Sequence, residues 1–345
     1  MSTAPQALAL AGGGARAAYQ AGVLKALVEL DPTRRQTPFP LICGVSGGSP
    51  GALILAARAG DFPGAVEALA DFWTSCRCRD VFRIPGGRIG LGLKIAGGRA
   101  ESVLDMRPAR EWLGGAVNVA EIAAAIDSAA LYAVSVGAFG HASRQTVHFF
   151  QGRGDLEPWR GPLEVGAHVT LGQDHLAAAF AMPLLAGPIA LHREYFCDAA
   201  VGAGGAIGAA GGFGAGRILS IDANPEAVGS ERRNKNLSAP LAQSAGLLAA
   251  TPYLRRPLAI GTKAEILHIV PSQPVHEIAR TYWQLLPRAL RALLDGIEEE
   301  TAALLGSLLL FEAPYTRALI DLGYRDALGH ATALRTCLGH SSHNG

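Results

Sequence analysis

Ala7-Leu8-Ala9-Leu10-Ala11-Gly12-Gly13-Gly14-Ala15-Arg16 is a run of small apolar residues that breaks into a glycine triplet and opens a helical stretch. Phe39-Pro40-Leu41-Ile42-Cys43-Gly44-Val45-Ser46-Gly47-Gly48 repeats that arrangement, again ahead of an apolar helix. Each unit reads as strand, tight turn, helix. Such a turn presents backbone N–H groups at a helix N-terminus, where negative charge is favoured. The second turn carries Ser46 at the centre of G-x-S-x-G, the spacing of a nucleophile elbow, in which Gly44 and Gly48 let the chain bend and leave Oγ exposed. The pair reads as one turn supplying a nucleophile and the other an oxyanion hole. A serine that merely caps a helix is the plainer alternative.

Working outward, 345 residues suffice for one large domain or two. With 49% hydrophobic residues, 43 glycines and few aromatics, an α/β core of Ala, Leu, Val and Ile fits the volume. The net charge of +1 gives no electrostatic basis for binding nucleic acid or for general attraction to anionic membranes. Five irregularly spaced cysteines (Cys43, Cys76, Cys78, Cys197 and Cys337) suit a reducing compartment better than a disulfide framework. Cys76 and Cys78 are too close for a zinc pair and have no second pair to join, and Cys337, His340 and His343 sit in an end expected to fray, so no metal is assigned. The start lacks a basic region ahead of a long apolar run, and no window holds eighteen uncharged apolar residues. The expectation is therefore a cytoplasmic protein without a signal peptide or transmembrane segment, at most peripheral to a membrane.

Beyond the first turn, Tyr19, Val23, Leu24, Leu27, Val28 and Leu30 recur at helical spacing, and Asp31-Pro32 stops the helix. Pro50 is tolerated in the first turn of the helix after Ser46. Residues 62–77 read as helix, and 81–98 as an irregular glycine-rich excursion. Residues 131–138 and 146–150 read as a hairpin about Gly140-His141-Ala142-Ser143. A helix is expected at 176–180, buried strands at 217–222 and 265–270, and a polar surface loop at 226–236. The final third reads as helices over 275–294, 298–310 and 316–326. Alternating strands and helices up to residue 270 predict a mostly parallel central sheet covered by helices on both faces.

The glycine triplet with Ala15-Arg16, followed by G-x-S-x-G in the next strand–helix unit, resembles the patatin-like phospholipases, whose members are Ser-Asp dyad acyl hydrolases. The likeness extends from about Ala7 to the closing Leu319-Ile320-Asp321-Leu322-Gly323-Tyr324-Arg325-Asp326-Ala327. It implies one patatin-like α/β domain over residues 5–330, its helical end packed on it, with 331–345 as a tail. It also implies that the helix ending at Met182-Pro183 leads through a short hairpin to the catalytic aspartate, Asp198. By the same resemblance Gly12, Gly13 and Gly14 supply the oxyanion amides and Arg16 supports the site. The expected substrate is a lipid ester met at a membrane or micelle surface, hydrolysed as a phospholipase A or lysophospholipase would, without metal or cofactor.

This chain departs from the family at Asp198-Ala199-Ala200, where a glycine should follow the aspartate. If that position needs positive φ, alanine costs about 1 kcal/mol, so a catalytically weakened or inactive binding relative is one alternative. Gly202 to Ala206 replaces the usual asparagine-proline stretch, and Ala17 stands where glycine is common. Gly12 to Ala17 also fits the G-x-G-x-x-A turn of a Rossmann-type dinucleotide-binding protein. That reading lacks the acidic residue such sites need at the end of the next strand, which here ends Cys43-Gly44. A Ser-His-Asp hydrolase is a third alternative, disfavoured because Ser46 follows only the second strand. His175 and His192 precede Asp198 but fit no motif.

Overall fold

The computed structural model describes residues 4–84, 102, 104–183, 185–202, 204–224, 264–295 and 298–339. In chain order, β1 (Gln6–Leu10) leads through a 3-10 turn (Gly14–Ala17) into α1 (Ala18–Leu30), and β2 (Leu41–Val45) leads into α2 (Gly48–Ala57). Then come α3 (Phe62–Ser75), α4 (Cys78–Val81), α5 (Arg107–Ala116), α6 (Val119–Asp127), β3 (Ala133–Gly140) and β4 (Thr146–Gly152). They are followed by β5 (Trp159–Arg160), β6 (Glu164–His168), α7 (Gln173–Ala179), β7 (Ile189–Leu191), β8 (Glu194–Asp198), α8 (Ala206–Gly212) and β9 (Arg217–Ile221). The described chain closes with β10 (Glu265–Ile269), α9 (Val275–Thr281), α10 (Arg288–Leu294), α11 (Glu299–Leu309), α12 (Ala313–Gly329) and α13 (Ala331–Cys337).

The sheet runs in the order β10-β9-β1-β2-β3-β4-β6-β5. Its first five strands are parallel to one another, the β3–β4 pair is the expected antiparallel hairpin, and β6 runs parallel to β4. Successive side chains of a strand point to opposite faces, and β1 shows what that separates. Leu8 and Leu10 join the larger core formed with α1, α2, α3 and α12, while Ala7 and Ala9 join the smaller core against α8. The small residues on the second face let a helix as poor in side chains as Ala206–Gly212 lie close to the sheet. The mostly parallel, helix-covered α/β sheet expected from the sequence is the one observed.

α12 packs along α1 at very short range. A Cβ on Gly22 would lie 1.9 Å from the Ile320 carbonyl oxygen, and one on Gly323 would lie 2.2 Å from that of Tyr19. Tyr19 Oη donates to Asp326 Oδ2 at 3.0 Å across the same interface.

Two sequence expectations change. The single helix over 275–294 is two helices joined by a 3-10 turn, because Pro287 forces Leu286 into an extended conformation (ψ 141°). Cys337 is not frayed: it is buried in α13, and Gln6 Nε2 donates to its carbonyl at 2.6 Å. The loop expected at 226–236, residues 85–98 of the glycine-rich excursion, His340 and His343 lie outside the described residues.

Candidate active site

β2 ends at Val45, and Ser46 turns the chain with φ +48°, a left-handed conformation that a side chain adopts only at a cost of about 1–2 kcal/mol. Gly47 caps α2, so Ser46 stands at the positive end of that helix. The flanking glycines are demanded by close packing. A Cβ on Gly48 would lie 2.3 Å from the Leu10 carbonyl oxygen, and one on Gly44 would lie 2.7 Å from that of Gly48. A larger residue at Gly48 would push the elbow off the end of β1, and one at Gly44 would push it off the first turn of α2.

Asp198 reaches Ser46 through strand register. β2 is paired with β3 up to Val45 opposite Gly137, and the next residue of β3, Ala138, is paired with Asp198 of β8. Since Ala138 is also paired with Val147 of β4, β8 occupies the side of β3 that β2 vacates when it turns at the elbow. Ser46 Oγ donates to Asp198 Oδ2 at 2.5 Å, a length typical of a hydroxyl bound to a carboxylate. The carboxylate is further oriented by the Ala200 N–H, which donates to Oδ1 at 2.9 Å, while the Asp198 N–H donates to the Ala181 carbonyl at 2.8 Å. Both side chains are about 1% exposed. The strain expected from alanines after Asp198 is absent. Ala199 and Ala200 lie in a 3-10 turn capped by Asp198 itself, and neither adopts positive φ.

The glycine triplet divides its work. Gly14 (φ +54°) lines the pocket with Ser46 and Asp198, and a Cβ there would lie 2.3 Å from the Leu308 carbonyl oxygen. Gly13 takes φ +149°, open only to glycine in practice. Gly12 is set back, its carbonyl accepting from Asn224 Nδ2 at 2.9 Å. Arg16 is fully buried behind the loop. Its Nε donates to Ser307 Oγ at 2.8 Å, its Nη1 to Asn224 Oδ1 at 3.1 Å and its Nη2 to the Leu304 carbonyl at 2.5 Å. It joins the triplet to α11 and to the end of β9 and is not among the residues lining the pocket at Ser46.

Asn224 and Asp222 were not singled out from the sequence. Asn224 donates from its backbone and from Nδ2 to Asp222 Oδ1, at 2.9 and 2.8 Å. Burial pushes the Asp222 carboxyl up to about 6, against the opposing pull of the Asn224 bonds and the Arg16 charge. The available signal was positional: polar residues just past the C-terminal end of a parallel strand lie where such sheets place their sites.

The remaining pocket wall is apolar, with Leu104, Met106, Phe180, Met182, Leu185 and Phe311 facing Ser46. His175 and His192 bond each other through Nε2 at 3.0 Å, and burial lowers the pKa of His175. Neither lines that pocket. All five cysteines are buried and unpaired in disulfides, and burial raises the Cys43, Cys76 and Cys197 thiols to about 12, far from thiolate chemistry. Among the described residues no group of three or more His, Cys, Asp or Glu gathers to hold a metal, and no helix is long and apolar enough to cross a membrane. The turn that could have cradled a dinucleotide is packed against Leu308 and Asn224.

Comparison with solved structures finds human GIVD cytosolic phospholipase A2, in complex with methyl gamma-linolenyl fluorophosphonate inhibitor and terbium chloride, at 16% identity and a TM-score of 0.40. The alignment covers 98% of this chain and 60% of that one, so this chain spans about three-fifths of the length of the phospholipase it matches. No curated protein matches. The family model described as patatin-like phospholipase matches residues 8–210, more than half of the 345. The two glycine turns, the serine elbow and the hairpin that carries Asp198 all fall inside that match, and the chain belongs to the patatin-like phospholipase family.

Proposed function

We propose that the protein is a lipid acyl hydrolase of phospholipase A or lysophospholipase type, working through a Ser46–Asp198 dyad. The observation that carries this reading is the 2.5 Å bond between Ser46 Oγ and Asp198 Oδ2, made on a strained elbow at a helix N-terminus inside an apolar pocket. A serine hydroxyl is a weak nucleophile until a base within hydrogen-bond reach takes its proton. Asp198 takes that proton as Oγ attacks the ester carbonyl. The carbonyl oxygen becomes an oxyanion beside the amides of the Gly12–Gly14 turn and the N-terminus of α2, where each donor contributes a factor of about 10²–10³ in rate. Collapse of the tetrahedral intermediate expels the alcohol, which leaves with the proton from Asp198. Water then gives a proton to Asp198, attacks the acyl-serine and releases the fatty acid, restoring the hydroxyl.

The unstrained turn at Ala199 and Ala200 removes the main ground for an inactive relative. The test is a lipid-ester panel run on the wild type, Ser46→Ala and Asp198→Ala, with fluorophosphonate labelling alongside. Hydrolysis should fall by about 10³-fold or more in each variant, and Ser46→Ala should take no label. Undiminished turnover in Ser46→Ala would rule the dyad out.

A further inference from the structure

β7 and β8 are joined by two residues, His192 and Arg193, at φ +49° and +70°. Two successive positive φ values are those of a type I′ hairpin turn, which favours asparagine and glycine. A turn made of neither is costly and gains from a tie outside the hairpin. His192 supplies one: its Nε2 lies 3.0 Å from Nε2 of His175, in the first turn of α7. A third group assigns the protons of this pair. The Gly172 N–H donates to His175 Nδ1 at 3.1 Å, so the neutral His175 ring carries its proton on Nε2 and donates it to His192. His192 Nε2 is then the acceptor, and the His192 proton sits on Nδ1. Phe149 of β4 packs against both rings, with centroids 4.9 and 5.7 Å away. At the other end of β8 the Asp198 N–H donates to the Ala181 carbonyl, just past α7. The strand that carries Asp198 is thus tied to the α7 segment at both ends.

We propose that the His175–His192 bond is a pH-sensitive latch, closed while both rings are neutral and opened by acid, that sets how firmly the hairpin bearing Asp198 is held. Its consequence for turnover rests on the dyad reading above. One added proton breaks it. On His192 the proton must enter at Nε2, which sets two N–H groups face to face. On His175 it must enter at Nδ1, which displaces the Gly172 N–H. The charged groups around the pair are Asp174 of α7, bonded to Arg110 of α5, then Arg193 in the turn and Glu194 of β8. Glu194 Oε1 accepts from the Ala142 and Ser143 N–H groups at 2.6 Å each. α2, β3 and β7, which also pack here, carry no ionisable side chain in their sequences. His148, next to Phe149 in β4, points to the opposite face and bonds Glu164. Burial and the neighbouring His192 hold the pKa of His175 below its ordinary 6.5, against the opposing pull of Asp174 and the Gly172 backbone. A histidine whose pKa is lowered by folding contributes stability above its unfolded value and loses it as pH falls. The latch is therefore closed at pH 8 and opens toward pH 5.

Hydrogen exchange reads the latch without turnover. After correction for the pH dependence of intrinsic exchange, protection of the β7 and β8 amides should fall about fivefold or more from pH 8 to pH 5, the loss expected for one hydrogen bond. The β1 and β2 amides should keep theirs. His175→Gln combined with His192→Gln preserves both bonds without a titrating ring, since glutamine can accept from the Gly172 N–H and donate onward. In that double variant protection should be equal at the two pH values, and kcat should decline less steeply than in wild type below pH 6.5. His192→Ala should show the lowered protection at both. Protection in wild type that does not change with pH overturns the proposal. So does a double variant that loses protection as wild type does, which would place the titration at Asp174 or Glu194. Nitrogen chemical shifts of the wild-type rings at pH 8 give a check that needs no variant: His175 protonated on Nδ1 would overturn the assignment. Latch and dyad fail separately. Acid-sensitive protection without ester turnover in any of these proteins would count against the dyad alone, and turnover abolished by Ser46→Ala with flat protection would count against the latch alone.

Discussion

Asn224 lies 212 residues from Gly12 in the chain, and its Nδ2 holds the Gly12 carbonyl at 2.9 Å. Both amide donors are used and the oxygen is bonded: Nδ2 also donates to Asp222 Oδ1, and Oδ1 accepts from Arg16. No isosteric replacement keeps that pattern, since aspartate would face two acceptors where the amide now donates. If the triplet serves the proposed hydrolysis, Asn224 acts through the Gly12 carbonyl it holds, as a positioning residue. Under the proposed mechanism Asn224→Ala should lower kcat about tenfold or more while KM changes little, because displacing the turn proposed to hold the oxyanion would be felt mainly in the transition state. Steady-state kinetics on a short-chain ester checks it. A rise in KM at constant kcat would contradict this role.

Asp222 gives the site a pH signature in stability. Its folded value, about 6, lies above the ordinary 3.8, so the folded protein holds the proton more tightly than the unfolded chain does. This group's contribution is therefore most favourable below about pH 4 and declines as pH rises through 6. The decline amounts to about 3 kcal/mol across that window. Asp222→Asn keeps an acceptor for the Asn224 donors and removes the ionisation. The variant should gain stability relative to wild type between pH 4 and pH 7, seen as a narrowing or reversal of any melting-temperature deficit. Parallel melting curves at both pH values would refute it.

What the sequence disclosed and what it withheld divide along physical lines. β1, β2, β9 and β10 are short apolar runs bounded by turns, and the β3–β4 hairpin carries its own turn residues, so local pattern identifies them. β6 reads Glu164-Val165-Gly166-Ala167-His168, with Glu164 buried and paired to His148 at 2.9 Å. A polar residue there argues against a strand until its partner is known. α8, Ala206–Gly212, has a poor intrinsic helix propensity and exists by packing on Ala7, Ala9 and Leu41, a tertiary effect. At the site, Ser46 and its glycines announce themselves through local geometry. Asp198 came through family likeness, and Asn224 through neither, because its role depends on which strand lies beside β1.

Ala199 offers a test of how this chain tolerates its departure from the family pattern. The residue is fully buried against the smaller core and has ordinary negative φ in a turn capped by Asp198. Restoring glycine there removes a buried methyl group and adds backbone freedom to the unfolded chain. Ala199→Gly should accordingly destabilise the fold by about 1 kcal/mol and bring no gain in activity. Chemical denaturation and the ester assay read the two parts. A faster, more stable variant would mean that alanine is a strained substitute after all.

The α1–α12 contact couples the far end of the described chain to the glycine turn, because α1 begins where the Gly14–Ala17 turn ends. Adding a methyl at Gly22 places it 1.9 Å from the Ile320 carbonyl oxygen and 2.8 Å from the Tyr324 nitrogen, both backbone atoms that no rotamer change can move. Gly22→Ala or Gly323→Ala must therefore separate the helices, at about 1–3 kcal/mol each. Separation also stretches the Tyr19–Asp326 bond. Once one methyl has opened the interface the second finds room already made, so the double variant should cost clearly less than the sum of the singles. Denaturant melts of the two singles and the double test this. Strict additivity would mean that each clash relaxes locally and that the helices do not move as units.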